Sequence, residues 1–184
     1  LRALNYLIDS GKVRYIGCSN FTSWQLAMSL ESSKSNNLEK FITVQPEYSL
    51  LNRDIEAELI PACEYYNIGI LPYFPLASGA LTGKYKRGED LPEGTRLGEN
   101  KERAGQILTS DTFSLLESLE IFAKARNKSL LDLAFAWLLA NPLVSSVIAG
   151  ATKPEQIVAN ARTASWKLTK TEVNEVNEIL NNHK

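Results

Sequence analysis

At 184 residues the chain is the size of one ordinary domain, and its 44% hydrophobic and 22% charged residues match a folded globular protein rather than a disordered tail. A formal net charge of -1 excludes the basic field that holds nucleic acid through many phosphate contacts. No apolar run approaches the ~20 residues that span a bilayer, and Cys18 and Cys63 form neither a CxxC pair nor a zinc-ligand spacing. The expectation is a cytoplasmic protein with reduced thiols, no metal and no membrane contact.

In chain order, Leu1, Leu4, Leu7 and Ile8 recur at helical spacing and Gly11 follows as a stop. A chain that opens inside a helix, without methionine, is expected to be truncated upstream. A short β-branched or apolar run, a small polar cluster and an amphipathic helix then repeat. Val13 to Gly17 predicts a strand, followed by Cys18-Ser19-Asn20 and a helix over Thr22 to Glu31. Phe41 to Val44 predicts the second strand, followed by Gln45-Pro46-Glu47-Tyr48 and a helix over Asp54 to Tyr66 with Asp54 as its cap. The third strand is Ile68 to Tyr73, opening into a long polar segment from Pro75 to about Ser110. Helices follow at Asp111 to Arg126 and Ser129 to Ala140, then a fourth strand at Ser145 to Ala149. Pro154 starts the next helix, since its missing N–H would be unpaired there anyway. Thr169 and Glu172 form a capping box for a last helix ending near Asn181.

Strands alternating with helices predict a parallel sheet covered by helices. Four such units make half of an eight-fold α/β barrel, which needs about 250 residues in full. An open doubly wound sheet is the alternative, but no GxGxxG follows the first strand. Ser19-Asn20, Gln45, Tyr73 and Gly150-Ala151-Thr152-Lys153 all fall at or just past the C-terminal ends of successive strands, where barrel active sites are built. Each has a plain structural reading too, as a turn residue or rim filler; their joint placement favours a site.

Four motifs carry a resemblance. Gly11-Lys12-Val13-Arg14-Tyr15-Ile16-Gly17-Cys18-Ser19-Asn20, Gln45-Pro46-Glu47-Tyr48-Ser49-Leu50-Leu51-Asn52-Arg53, Leu71-Pro72-Tyr73-Phe74-Pro75-Leu76 with Gly79-Ala80-Leu81-Thr82-Gly83-Lys84-Tyr85, and Gly150-Ala151-Thr152-Lys153-Pro154-Glu155-Gln156 with Asn160 resemble the aldo-keto reductases in order and spacing. The resemblance implies a (β/α)8 barrel that binds NADP(H) across its C-terminal face and reduces a small-molecule carbonyl. By position, Ser19, Asn20 and Gln45 would hydrogen-bond the nicotinamide carboxamide, and Tyr73 would stack on its ring. Leu76, Ser78 and Gly79 would offer backbone N–H groups to the pyrophosphate, with Lys84 as a cation. Phe74 departs from a family pattern in which serine often follows the stacking aromatic. Gly150, Ala151, Thr152 and Lys153 would receive the adenosine 2′-phosphate at the start of a helix, with Gln156 and Asn160 one turn apart on the same face. The Gly79 to Lys84 string has one residue too few for a P-loop, and Tyr85 stands where Ser or Thr would bind magnesium.

The family's Asp, Tyr, Lys and His tetrad, with Tyr as general acid, belongs to the first half of the barrel. The single histidine, His183, lies in a polar tail, so no catalytic residue is expected in this chain and it should be inert alone. The chain thus reads as the C-terminal portion of one domain, residues 1–184, needing the missing N-terminal half of the same barrel as its partner. A nicotinamide-binding regulatory subunit is the alternative, since the pattern also resembles the β subunits of potassium channels.

Overall fold

A computed structural model describes residues 1–183. Helix α1 (Arg2–Asp9) leads to strand β1 (Ile16–Ser19), helix α2 (Ser23–Ser35) and strand β2 (Phe41–Gln45). Helix α3 (Leu59–Tyr66), strand β3 (Gly69–Ile70) and helices α4 (Lys101–Ile107), α5 (Ser110–Lys124), α6 (Leu130–Ala140), α7 (Pro154–Thr163) and α8 (Lys170–Asn182) complete the order. Strands β1, β2 and β3 lie side by side and parallel, so the C-terminal ends of all three share one edge.

The fourth predicted strand takes a different form. Ile70 N–H donates to Leu143 O at 2.7 Å, Ser145 N–H to Ile70 O at 3.0 Å and Ile148 N–H to Pro72 O at 2.8 Å. Residues 143–148 therefore run parallel beside β3, with one regular bridge at Ile70 and Val144. Pro72 and Pro46 lack an N–H, so the ladder is interrupted at each and β3 shortens from the expected six residues to Gly69–Ile70. The first strand likewise starts later than expected, because Val13 N–H closes onto Leu7 O at 3.2 Å as part of the turn after α1.

A bulge sets which residues face the helices. Gly17 pairs with Thr43 while Ile16 pairs with Phe41, which leaves Ile42 as an extra residue. Phe41 and Val44 are then both buried beside Ile16 and Ile70, against Leu26 and Leu30 of α2 and Leu59 and Cys63 of α3. On the opposite face stand Gly17, Thr43, Gly69 and Ser145. A Cβ on Gly17 would overlap Thr43 Oγ1, and one on Gly69 would overlap Ser145 Oγ, so this face closes only with small residues. A second core joins Tyr48, Leu119, Leu133, Trp137, Val176 and Leu180 beneath α5, α6 and α8, each buried aliphatic side chain contributing about 1.5–3 kcal/mol.

Two expectations for the connections change. The helix expected over Asp54 to Tyr66 is split into a 3-10 turn at Asp54–Glu56 and α3; Asp54 caps nothing, and its own N–H donates to Asn52 Oδ1 at 3.2 Å. The polar segment from Pro75 to Ser110 is ordered, with a 3-10 stretch at Ala77–Thr82, helix α4, and a small core of Tyr85, Leu97 and Ala104. Tyr85 OH accepts the Leu97 N–H at 3.3 Å, which holds the loop down. The Thr169 and Glu172 capping box forms as expected, and the structure adds two that were not expected, Thr22 with Gln25 and Ser129 with Asp132.

Candidate functional site

The parallel strands bring Ser19, Asn20, Gln45 and Tyr73 to one place. Ser19 is in register with Gln45, and its hydroxyl donates to the Gln45 carbonyl at 3.0 Å. The Asn20 N–H donates to the same carbonyl at 3.1 Å, and Asn20 turns out of the strand at φ 57°, a conformation asparagine tolerates better than most residues. Tyr73 is carried past the end of β3 by hydrogen bonds from its N–H to Pro46 O at 3.0 Å and from Tyr48 N–H to Tyr73 O at 3.3 Å. Its hydroxyl donates to Asn20 Oδ1 at 2.8 Å. The group therefore presents Ser19 lone pairs, the Asn20 amide N–H pair, and a Gln45 amide able to donate and accept, beside a half-buried phenol ring.

Next to it lies a strap with unusual backbone. Phe74, Ala77 and Ser78 adopt φ of 52°, 44° and 58°, and Gly79 follows at 96°. Three non-glycine residues in the left-handed region cost about 1–3 kcal/mol each. Gly79 N–H is not free as expected: it closes onto Leu76 O at 2.8 Å. Among the described backbone bonds the N–H groups of Leu76 and Ser78 have no partner. Ser78 is buried, and its Oγ accepts from Arg103 Nε at 3.1 Å. Lys84 is exposed, with Nζ 5.0 Å from the Tyr85 ring centre.

Gly150, Ala151, Thr152 and Lys153 form an exposed turn before α7. Two of its donors are engaged within the chain: Gln156 Oε1 accepts from Thr152 N–H at 2.8 Å and Lys153 N–H at 3.3 Å. Gln156 thus fills the place expected for an anion. Asn160, half-buried, lines with Ala151 and Ile157 a cleft of about 370 Å³ between residues 145–149, α6 and α7.

Two residues of this neighbourhood carried no sequence signal, Arg96 and Arg103. They stand as lone arginines in a polar segment, yet Arg96 lies 5.8 Å and Arg103 5.3 Å from the Phe74 ring centre. Arg96 is also the side chain nearest to where a Cβ on Gly150 would sit, at 3.7 Å, so it reaches from the strap to the turn before α7. Burial pushes the Cys18 and Cys63 thiols up to about 11, which disfavours the nucleophilic thiolate. Among the described residues no metal-binding cluster occurs and no helix is long and apolar enough to cross a membrane.

The family model described as "Aldo/keto reductase family" matches residues 1–181, and the chain belongs to that family. It is 40% identical over 165 residues to a probable voltage-gated potassium channel subunit beta of Oryza sativa subsp. japonica, covering 88% of this chain and 50% of the relative. It is 30% identical to versiconal hemiacetal acetate reductase of Aspergillus parasiticus, over 97% of this chain and 51% of the relative. A solved glycerol dehydrogenase from Gluconobacter oxydans superposes with a TM-score of 0.82 at 30% identity, covering 99% of this chain and 53% of that one. The chain spans about half the length of the curated relatives it matches.

Proposed function

We propose that this chain is the cofactor-holding C-terminal half of a (β/α)8 barrel, and that the whole protein transfers hydride between NADP(H) and an aldehyde or ketone in the cytoplasm. The observation that carries the reading is the cluster of Ser19, Asn20, Gln45 and Tyr73, drawn from three strand ends into one complementary set. A nicotinamide carboxamide offers one acceptor and two donors. Asn20, with Oδ1 engaged by Tyr73, would offer its N–H groups to the acceptor, and Ser19 and Gln45 would take the donors. The Tyr73 ring would stack on the nicotinamide and orient it. When bound, the cofactor supplies the hydride; the residues of this chain orient it.

Lys153 and the Leu76 and Ser78 N–H groups support an anionic tail on that ligand, with Gly150, Ala151 and Thr152 at its adenosine end and Gln156 and Asn160 beside them. The half-barrel reading is supported by the small-residue face of Gly17, Thr43, Gly69 and Ser145 and by the doubled length of the relatives. In the whole protein the Asp, Tyr, Lys and His of the family pattern would come from the first half. The test is to express the full reading frame and mix it with NADPH and a panel of aldehydes. Aldehyde-dependent NADPH oxidation supports the proposal, and absence of both binding and turnover rejects it. The 40% identity to a channel β subunit favours a second reading, a nicotinamide-sensing subunit; tight NADPH retention with very slow turnover would select it.

A further inference from the structure

We infer that Tyr48 is a positioning residue for Tyr73: its main chain holds the segment past β3, and its buried phenol, bound to the Arg53–Glu56 pair, fixes that main chain against α6 and α8. The role rests on the cofactor reading above, in which Tyr73 carries the nicotinamide. β3 ends at Ile70, and Pro46 and Pro72 each remove a ladder donor, so Tyr73 lies where the sheet no longer holds the chain regularly. Among the described residues two backbone bonds retain it, from its N–H to Pro46 O at 3.0 Å and from the Tyr48 N–H to its carbonyl at 3.3 Å. Phe74 then turns away at φ 52°. The Tyr48 bond is therefore the last before the chain leaves the sheet.

The side chain of Tyr48 ties that bond to the helical layer. The residue is 3% exposed, and its ring meets Trp137 of α6 with centres 5.1 Å apart. A hydroxyl buried there is costly unless bonded, and it donates to Glu56 Oε1 at 2.8 Å. Burial, then the Glu56 charge, pushes the phenol above its usual range, so it remains a donor. Two Arg53 nitrogens hold Glu56 in turn, Nε at 2.9 Å and Nη2 at 2.7 Å. Ser49 and Asn52 exchange backbone bonds at 3.0 and 3.2 Å, a tight turn that returns the chain so that residues 53–56 reach Tyr48. Arg53 also donates to Asn181 Oδ1 of α8 at 3.4 Å, and Trp137 Nε1 to Asn177 Oδ1 of α8 at 3.0 Å. A phenylalanine at position 48 would fill the same space on Trp137. It would not select one arrangement of residues 49–56, which a satisfied polar network does.

The experiment uses the full-length protein, with NADPH and adenosine 2′,5′-bisphosphate as probes; the second has the adenosine end of the first and no nicotinamide. Tyr48→Phe is expected to weaken NADPH about fivefold and to leave the bisphosphate unchanged, because only the nicotinamide would reach Tyr73. Glu56→Ala is expected to act in the same direction. In a Tyr73→Ala background Tyr48→Phe is expected to cost nothing further, since its effect passes through Tyr73. Unchanged NADPH affinity in Tyr48→Phe overturns the role. So does an equal loss for both probes, which a general loosening of the fold would give, or a full loss that persists in the Tyr73→Ala background. If Glu56→Ala does not fold, the isosteric Tyr48→Phe decides alone by the ratio of the two affinities. A wild-type protein that binds neither probe rejects the cofactor reading and this inference with it, whereas wild-type binding of both that Tyr48→Phe reproduces rejects this inference alone.

Discussion

Gln156 shows how one side chain sets the character of the proposed adenosine end. Its Oε1 occupies the Thr152 and Lys153 N–H groups, so a 2′-phosphate must displace it to use the start of α7. Gln156→Glu would put a full negative charge in that position. The carboxylate would stabilise the helix start by about 0.3–1 kcal/mol while repelling the phosphate. The expected result is NADPH binding weakened about tenfold or more with NADH binding nearly unchanged, read by titrating both nucleotides; an equal loss for both would remove Gln156 from the phosphate site. At this scale the residue types at the strand ends are legible in the sequence but their bonds are not. Asparagine after β1 and tyrosine after β3 are 53 positions apart, and only register brings the phenol to Asn20 Oδ1.

Among the elements, α5 and α8 are joined by one residue. Arg126, at the end of α5, reaches Glu172 at 3.0 Å and Glu175 at 2.6 Å on α8, with its guanidinium 3.7 Å from the Phe122 ring centre. Hydrogen bonds from the Thr169 N–H and hydroxyl, then from Arg126, hold the Glu172 carboxyl below its usual range. A depressed carboxylate contributes stability that is present above its unfolded value and lost as pH falls through its folded value. Thermal melts of the full-length protein should therefore show a Glu172→Gln penalty near neutral pH, about 1 kcal/mol for a cap bond with a partly exposed ion pair. That penalty should shrink below about pH 4, the ordinary glutamate range; a pH-independent penalty would argue against the ionised cap. The Thr169 and Glu172 capping box was legible in sequence because it is local, with both partners three residues apart. Strand ends were less so, because ladder bonds are set by the neighbouring strand: Pro46 and Pro72 interrupt the ladder between segments distant in sequence.

For the whole molecule, the sheet has one face covered by α2 and α3 and one face of small residues open beyond Gly17, Thr43, Gly69 and Ser145. Among the described residues β1 has a strand partner only in β2, and residues 143–148 bond only to the β3 side. Unpaired edges of this kind favour association. Expressed alone, the 184-residue chain is expected to be inert with NADPH and aldehydes and to aggregate or dimerise. Coexpression with the upstream half should give a soluble complex. Sedimentation of the two preparations checks this, and a soluble, active monomer of the chain alone would overturn the half-barrel proposal.

Sequence alone determined the parallel α/β alternation, the Thr169 and Glu172 capping box and the family, because periodicity, capping and motif spacing are local properties. It also marked Ser19, Asn20, Gln45 and Tyr73 as a group, since strand ends on one edge must converge. What only the tertiary structure decided were contacts made across the chain. The Pro75 to Ser110 segment reads as a polar loop, yet Tyr85, Leu97 and Ala104 pin it, and that folding delivers Arg96 and Arg103 to Phe74. Gly79 N–H was lost to Leu76 and the turn before α7 was filled by Gln156, because a donor's partner depends on which acceptor the folded backbone presents to it.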